Sequence, residues 1–202
     1  MNTPSHAILN LALLLPHQQT EKLLPIIAVG AILPDIPMFT LYLWAKVKGI
    51  PPQQLWTETY YQPLWQNWTN LFHSIPLAGL GLGIGIACHA QLLAVLCGSS
   101  VLHSLLDLPV HNDDAHRHFF PFHPYRFISP LSYWDPRHYG YIVALVEILL
   151  VLLATVYLFP QVESTLVKGL FISVNLGYGG IYTALSLRRR RLNLFCQSAN
   201  CD

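Results

Sequence analysis

Five stretches of this chain run apolar for about the 20 residues that a helix needs to cross the hydrocarbon core of a bilayer, which confines the fold to helices packed in lipid. Tyr139 to Phe159 and Leu166 to Leu187 are the cleanest, although Glu147, Lys168 and Asn175 lie within them. Phe72 to Cys88 and Ala90 to Leu108 form an apolar hairpin whose turn falls at Cys88-His89-Ala90-Gln91. Its first half is rich in glycine (Gly79, Gly81, Gly83, Gly85), which suits close helix packing in lipid. Leu23 to Val47 is long enough but is interrupted at Leu33-Pro34-Asp35-Ile36-Pro37. His6 to Leu15 is too short to cross and reads as a half-helix or a re-entrant piece. The expected fold is all-α: an integral membrane bundle of about five to six helices, one interrupted at Pro34-Asp35-Pro37. A single polytopic domain is expected over residues 1–191, with a short tail at 192–202.

Composition agrees. Only 10% of the 202 residues are charged and 53% are hydrophobic, against roughly 25% charged in ordinary soluble domains. Too few charges remain to cover a water-facing surface, which excludes a soluble enzyme. The chain also lacks the charge that keeps disordered segments unfolded. The formal net charge is +1, and Arg188 to Arg191 concentrate four of the 11 basic residues in one run, so nucleic acid is excluded as a partner.

Basic residues set the expected sidedness, because Lys and Arg in short loops stay cytoplasmic. Arg188 to Arg191 place the C-terminus inside. Counting back puts the loop from Pro109 to His138 inside with Arg117, Arg126 and Arg137, the Cys88 turn outside, and the Lys46/Lys48 loop inside. The expected location is a bacterial inner membrane or another internal membrane. The apolar stretch Ala7 to Leu15 has no basic residue before Lys22, so it is not read as a cleaved signal. Cys88, Cys97, Cys196 and Cys201 show no C-x-x-C spacing and read as unpaired thiols.

The polar residues gather at one membrane face. His103 and Asp107 are four apart on one helix face, with Ser99 on the same stripe. Ionisable groups inside an apolar helix are costly and mark a functional site. His73-Ser74 starts the glycine-rich helix on the same side, Asp35 sits in the interrupted helix, and His6 lies near the chain start. Three histidines and two carboxylates from four segments thus converge as a transition-metal site requires, with Zn favoured and Mn or Fe as alternatives. Pro109 ends the helix and leaves His111, Asp113, Asp114, His116 and His118 in the following loop. Because Phe119-Phe120-Pro121-Phe122 follows that polar run, the loop is expected to lie along the membrane face as a lid, with His111 or Asp114 as a further ligand or an orienting partner. His17, His89, Cys97 and Glu147 are read as having no site role.

The motifs Thr3-Pro4-Ser5-His6, Gly30-Ala31-Ile32-Leu33-Pro34-Asp35, His73-Ser74 and Leu102-His103-Ser104-Leu105-Leu106-Asp107 occur in an order that resembles the bacterial inner-membrane metal-dependent hydrolase-like family. The likeness covers roughly the first 120 residues and lies in the order of several short motifs. It implies that His6, Asp35, His73, His103 and Asp107 belong to a metal site. The chain departs from that pattern where the family usually reads H-R-G before its T-H-S: here the sequence is Trp68-Thr69-Asn70-Leu71-Phe72-His73-Ser74. It departs again from Leu108 to Pro121, which, with Ser129 to Pro136, looks like a subgroup of bacterial membrane proteins.

The leading expectation is a membrane-embedded metal-dependent hydrolase acting on an amphiphilic ester or phosphoester, a membrane lipid or a lipid-like substrate. His103, Asp107, His73 and either His6 or Asp35 would hold the metal, and a remaining carboxylate, Asp35 or Asp113, would act as general base. The alternative is a non-catalytic membrane protein that binds a metal, pigment or protein partner through the same histidines, with Phe119, Phe120, Tyr133 and Trp134 as a docking surface. A transporter built on the broken helix is disfavoured by the small helix count and the lack of an inverted repeat.

Overall fold

The computed structural model describes residues 1–15 and 20–198, and every regular element among them is helical. His17 and Cys201 lie outside the described residues, as does the side chain of Cys196. The order is α1 (Thr3–Leu14), α2 (Thr20–Ile32), a 3-10 turn (Leu33–Asp35), α3 (Ile36–Lys48), the one-turn α4 (Pro52–Gln54) running into a π-helical turn (Leu55–Thr59), α5 (Pro63–Phe72), α6 (Ile75–Ala87), α7 (Gln91–Asp107), α8 (Gly140–Leu158) and α9 (Thr165–Ser198).

Proline sets many of the starts. Pro4, Pro37, Pro63 and Pro76 each occupy the first or second helical position, where the missing N–H costs nothing. Ser74 caps α6 by accepting the Leu77 N–H on its hydroxyl, and Gly49 ends α3 in the left-handed region at φ 69°. The interruption expected at Pro34-Asp35-Pro37 is one 3-10 turn, so the chain continues through it as a single apolar length, Lys22–Lys48.

Four helical lengths among the described residues are long and apolar enough to cross a membrane: Lys22–Lys48, Pro63–Ala87, Gln91–Val110 and Gly140–Leu158. The third and fourth reproduce expected spans closely. The second starts earlier than the expected Phe72, because α5 leads into α6 with a break only at His73-Ser74. The expected span Leu166 to Leu187 is helical, as part of α9. Residues 192–198 of the expected tail continue α9. The first stretch is a helix of 12 residues, about 18 Å long and too short to cross.

The molecule is a multi-pass helical bundle turned inside out relative to a soluble one. Large apolar side chains such as Leu43, Leu80, Ile86, Leu153 and Val156 face outward, while His6, His73, His103 and Asp107 are enclosed. Lipid replaces water as the outer solvent, so an apolar exterior carries no penalty. An apolar core of Ile8, Leu11, Leu23, Ile27, Val151 and Leu158 ties α1 to α2 and α8.

α7 is the central post. α6 packs along it because Gly81 and Gly85 face it: a Cβ on Gly85 would stand 2.6 Å from the Ala94 nitrogen, whereas Gly79 and Gly83 face open space. α2 approaches the other side at Gly30, where a Cβ would stand 2.4 Å from the Leu96 carbonyl oxygen. Buried hydroxyls then cross-link the backbones, Ser99 donating to the Ile27 carbonyl and Ser100 to that of Gly30. Alternate crossings bring the 49–62 connection and the 111–139 loop to the same end of the bundle.

Candidate metal centre

Asp107 ends α7 and is enclosed by four segments that are far apart in sequence. Its two oxygens meet different chemistry. Oδ1 accepts from the Met1 amino group at 2.8 Å and meets His6 Nε2 at 2.9 Å and His111 Nε2 at 3.1 Å, the Met1 amino group itself lying 3.0 Å from His111 Nε2. Oδ2 instead faces His103 Nε2 at 3.1 Å and His73 Nε2 at 3.6 Å. Asp35 Oδ1 approaches the same two imidazole nitrogens, at 3.7 Å from His103 and 3.9 Å from His73.

The backbone fixes which nitrogen of each ring carries hydrogen. His103 Nδ1 lies 2.6 Å from the Ala31 carbonyl and His73 Nδ1 lies 2.8 Å from that of Thr69. A carbonyl only accepts, so both Nδ1 atoms donate. In the neutral rings this leaves a lone pair on each Nε2, and neither Nε2 makes a hydrogen bond although both are buried. Two lone pairs and two carboxylate oxygens thus converge in a water-poor interior. Such a group could hold a metal ion.

The four nitrogen-to-oxygen separations run from 3.1 to 3.9 Å, close enough for the atoms to share one ion. Donation of each Nδ1–H to a carbonyl is also the usual outer support of a metal-bound histidine. Three sets of potential ligand atoms cluster: His6, His103 and Asp107; Asp35, His73 and His103; and His73, Asp107 and His116.

Supporting contacts hold the donors in place. The ring of His6 stacks on His103 at 3.6 Å. Thr3 donates its hydroxyl to Asp35 Oδ2, and Ser104 donates to the His73 carbonyl. Asn10 donates to the hydroxyl and carbonyl of Ser99, which seats α1 against α7. Side-chain exposure separates the acids, since Asp107 is 2% exposed and Asp35 16%.

The 111–139 loop folds over this cluster. His118 accepts the Ile75 N–H on its carbonyl, Phe120 accepts the Ser74 hydroxyl on its own, and Asn70 Oδ1 accepts the Arg117 N–H. His116 lies against His73 with ring centroids 4.0 Å apart. His111 is held from both sides, because its Nδ1 meets Asp114 Oδ2 at 2.9 Å while its Nε2 meets Asp107. Burial and the Met1 ammonium oppose protonation of His111, but Asp107 and Asp114 outweigh them and raise its pKa. Burial pushes His118 down to about 4 and His116 well below the ordinary histidine value, keeping both neutral.

The structure therefore brings together His6, Asp35, His73, His103, Asp107 and His111. It does not bring Asp113 into the cluster: that side chain is exposed and lines a separate groove on the outer side of Asp114. Sequence spacing undervalued His116 and His118, whose loop folds back over α5 and α6, and it gave Thr3 as part of a motif without its bond to Asp35. Glu147 has partners that the sequence did not disclose: its Oε1 accepts from the Asn2 N–H at 3.0 Å, the Asn2 side chain at 2.9 Å and the Ser5 hydroxyl. Cys88 and Cys97 are unpaired, the first exposed and the second half-buried.

Comparison of the chain with protein-family models, with curated proteins and with solved structures finds no match.

Proposed function

We propose that this protein is a membrane-embedded metal-dependent hydrolase acting on an amphiphilic ester or phosphoester, with its site toward the cytoplasmic face of a bacterial membrane. The observation that carries the reading is the pair of buried, unpartnered Nε2 atoms of His73 and His103, each fixed by a backbone carbonyl and each facing carboxylate oxygen. His73, His103 and Asp107 Oδ2 form a three-donor set, the number that catalytic zinc sites use. A divalent ion held there, Zn first among Zn, Mn and Fe, supplies Lewis acidity and an acidified water at neutral pH.

The remaining roles fall to this chain's own groups. His6 and His111 grip Asp107 Oδ1 and so turn Oδ2 toward the imidazoles. Asp35 stands on the open side of the donor set, more exposed than Asp107, with Thr3 orienting its far oxygen. It is the acceptor for a proton leaving the attacking water. The 111–139 loop excludes bulk water with the buried rings of His116 and His118. The resemblance of the motif order to that of metal-dependent hydrolase-like membrane proteins supports the same reading.

One observation favours a second reading. If Asp35 Oδ1, at 3.7 and 3.9 Å from the imidazoles, closes the fourth position, the site is a closed binding site without catalysis. Elemental analysis of purified wild type and Asp107→Asn, together with hydrolysis of short-chain ester and phosphodiester lipids, tests both readings. Stoichiometric metal that is lost in the variant, with metal-dependent hydrolysis, is expected. Stoichiometric metal without any hydrolysis selects the binding reading, and metal-free wild type ends both.

A further inference from the structure

A groove of roughly 680 Å³ opens beside the cluster, between the 49–62 connection and the 111–139 loop. Five aromatic residues wall it: Trp56, Tyr60, Tyr61, Tyr133 and Trp134. The charged side chains on that wall are Asp113 and Asp114, and no basic residue joins them among the lining residues. Arg126, the nearby cation, is directed to Gln66 Oε1 at 3.2 Å.

The wall has the features of a receptor for positive charge. Asp114 Oδ2 is taken by His111 and by the Trp134 indole N–H, but its Oδ1 is buried and unpartnered. Burial raises the Tyr60 and Tyr61 hydroxyl pKa values, and the neighbouring carboxylates of Asp114 and Asp113 push them further in the same direction. Aromatic faces lined up with carboxylates attract quaternary ammonium groups, because the ring quadrupole and the full negative charges act together. Trp56, Tyr61 and Trp134 are also exposed, at the end of the bundle where aromatic side chains settle at headgroup level.

We propose that this groove binds the ammonium headgroup of a membrane lipid, with the methylated nitrogen among Trp56, Tyr61, Tyr133 and Trp134 and its charge against Asp113 and Asp114. The assignment rests on the hydrolase reading only in making that lipid the substrate. His111 bridges Asp114 to Asp107, so the groove and the metal donors share one wall. A lipid anchored by its ammonium has its ester or phosphoester linkages directed along that wall toward the donors.

The test uses the full-length protein in phosphatidylglycerol nanodiscs, with tryptophan fluorescence as the readout. Short-chain phosphatidylcholine is titrated against short-chain phosphatidylglycerol, and free choline against its uncharged isostere 3,3-dimethylbutan-1-ol. The choline lipid should bind roughly tenfold tighter than the glycerol lipid, and choline roughly tenfold tighter than the isostere. Asp113→Asn and Trp56→Leu should each remove most of that preference while the variants still elute as folded protein. Chelation should leave the preference intact, so that a failed metal centre and a failed headgroup site give different results. Equal binding of choline and its isostere overturns the cation site. A choline preference with no preference between the two lipids overturns the lipid headgroup as occupant.

Discussion

Asp107 and Glu147 are both buried acids on apolar helices, and both meet the first residues of the chain, yet their surroundings differ in kind. Glu147 is met by hydrogen-bond donors: the Asn2 backbone and side chain and the Ser5 hydroxyl, with Ser5 in turn bonded to Tyr178. All three bonds fall on Oε1 and clamp α1 against α8, while Oε2 is buried and unpartnered. Asp107 also has its hydrogen bonds on one oxygen, Oδ1, but its Oδ2 faces the Nε2 atoms of His103 at 3.1 Å and His73 at 3.6 Å. Donors on one oxygen seat Glu147 in the fold, whereas imidazole nitrogens facing the second oxygen make Asp107 part of a group that could hold a metal ion. Burial and charge are alike at the two sites, and the lesson is that partner type separates structure from chemistry.

The largest expected effect lies at Asp107. Asp107→Asn should weaken metal binding more than about 100-fold, because a charged donor is lost where outer partners alone are worth about 10–100-fold. Glu147→Gln should leave metal content near wild type by elemental analysis. Equal metal loss in both variants would erase the distinction. His103→Ala added to Asp107→Asn should cause little further loss, since residues of one site are non-additive.

Next comes Asp35→Asn. It should retain the metal while lowering hydrolysis by about 10²–10⁴-fold, the range for loss of a general base. Loss of the metal itself would make Asp35 a ligand and move the protein to the binding reading.

A smaller change follows at Thr3. Thr3→Val removes the hydroxyl that orients Asp35 and should cost roughly tenfold in metal affinity or activity. At Glu147, replacement by Leu leaves the donors of Asn2 and Ser5 unmatched and should lower stability by about 1–3 kcal/mol, read as a lower Tm at unchanged metal stoichiometry.

The smallest effects compare glycines on one helix. Gly79→Ala, facing open space, should change Tm little, within about 0.5 kcal/mol of wild type. Gly85→Ala, whose Cβ meets the Ala94 backbone, should lower it by about 1–3 kcal/mol through separation of α6 from α7.

The sequence by itself determined the helical class, the apolar lengths, the turn at Cys88 to Gln91 and the shared face of His103 and Asp107. Those properties are local: hydropathy over about 20 residues, proline and glycine at helix ends, and a spacing of four within one helix. The span boundary was less legible at α5, where polar residues dilute a run that still forms helix ahead of α6. The tertiary structure alone decided which groups meet. His6 reaches Asp107 across 101 residues, Asn2 reaches Glu147 across 145, and His103 finds its acceptor on Ala31 across 72. Periodicity carries no information on such closures, since they depend on how tightly α2 and α6 approach α7 at Gly30, Gly81 and Gly85. The same packing decided which oxygen of Asp107 meets the Met1 amino group and which faces the imidazoles of His73 and His103, and it set Asp113 on the groove wall instead of among the imidazoles. A sequence names the ionisable groups that must be buried; only the packing of distant helices decides which partners each one meets.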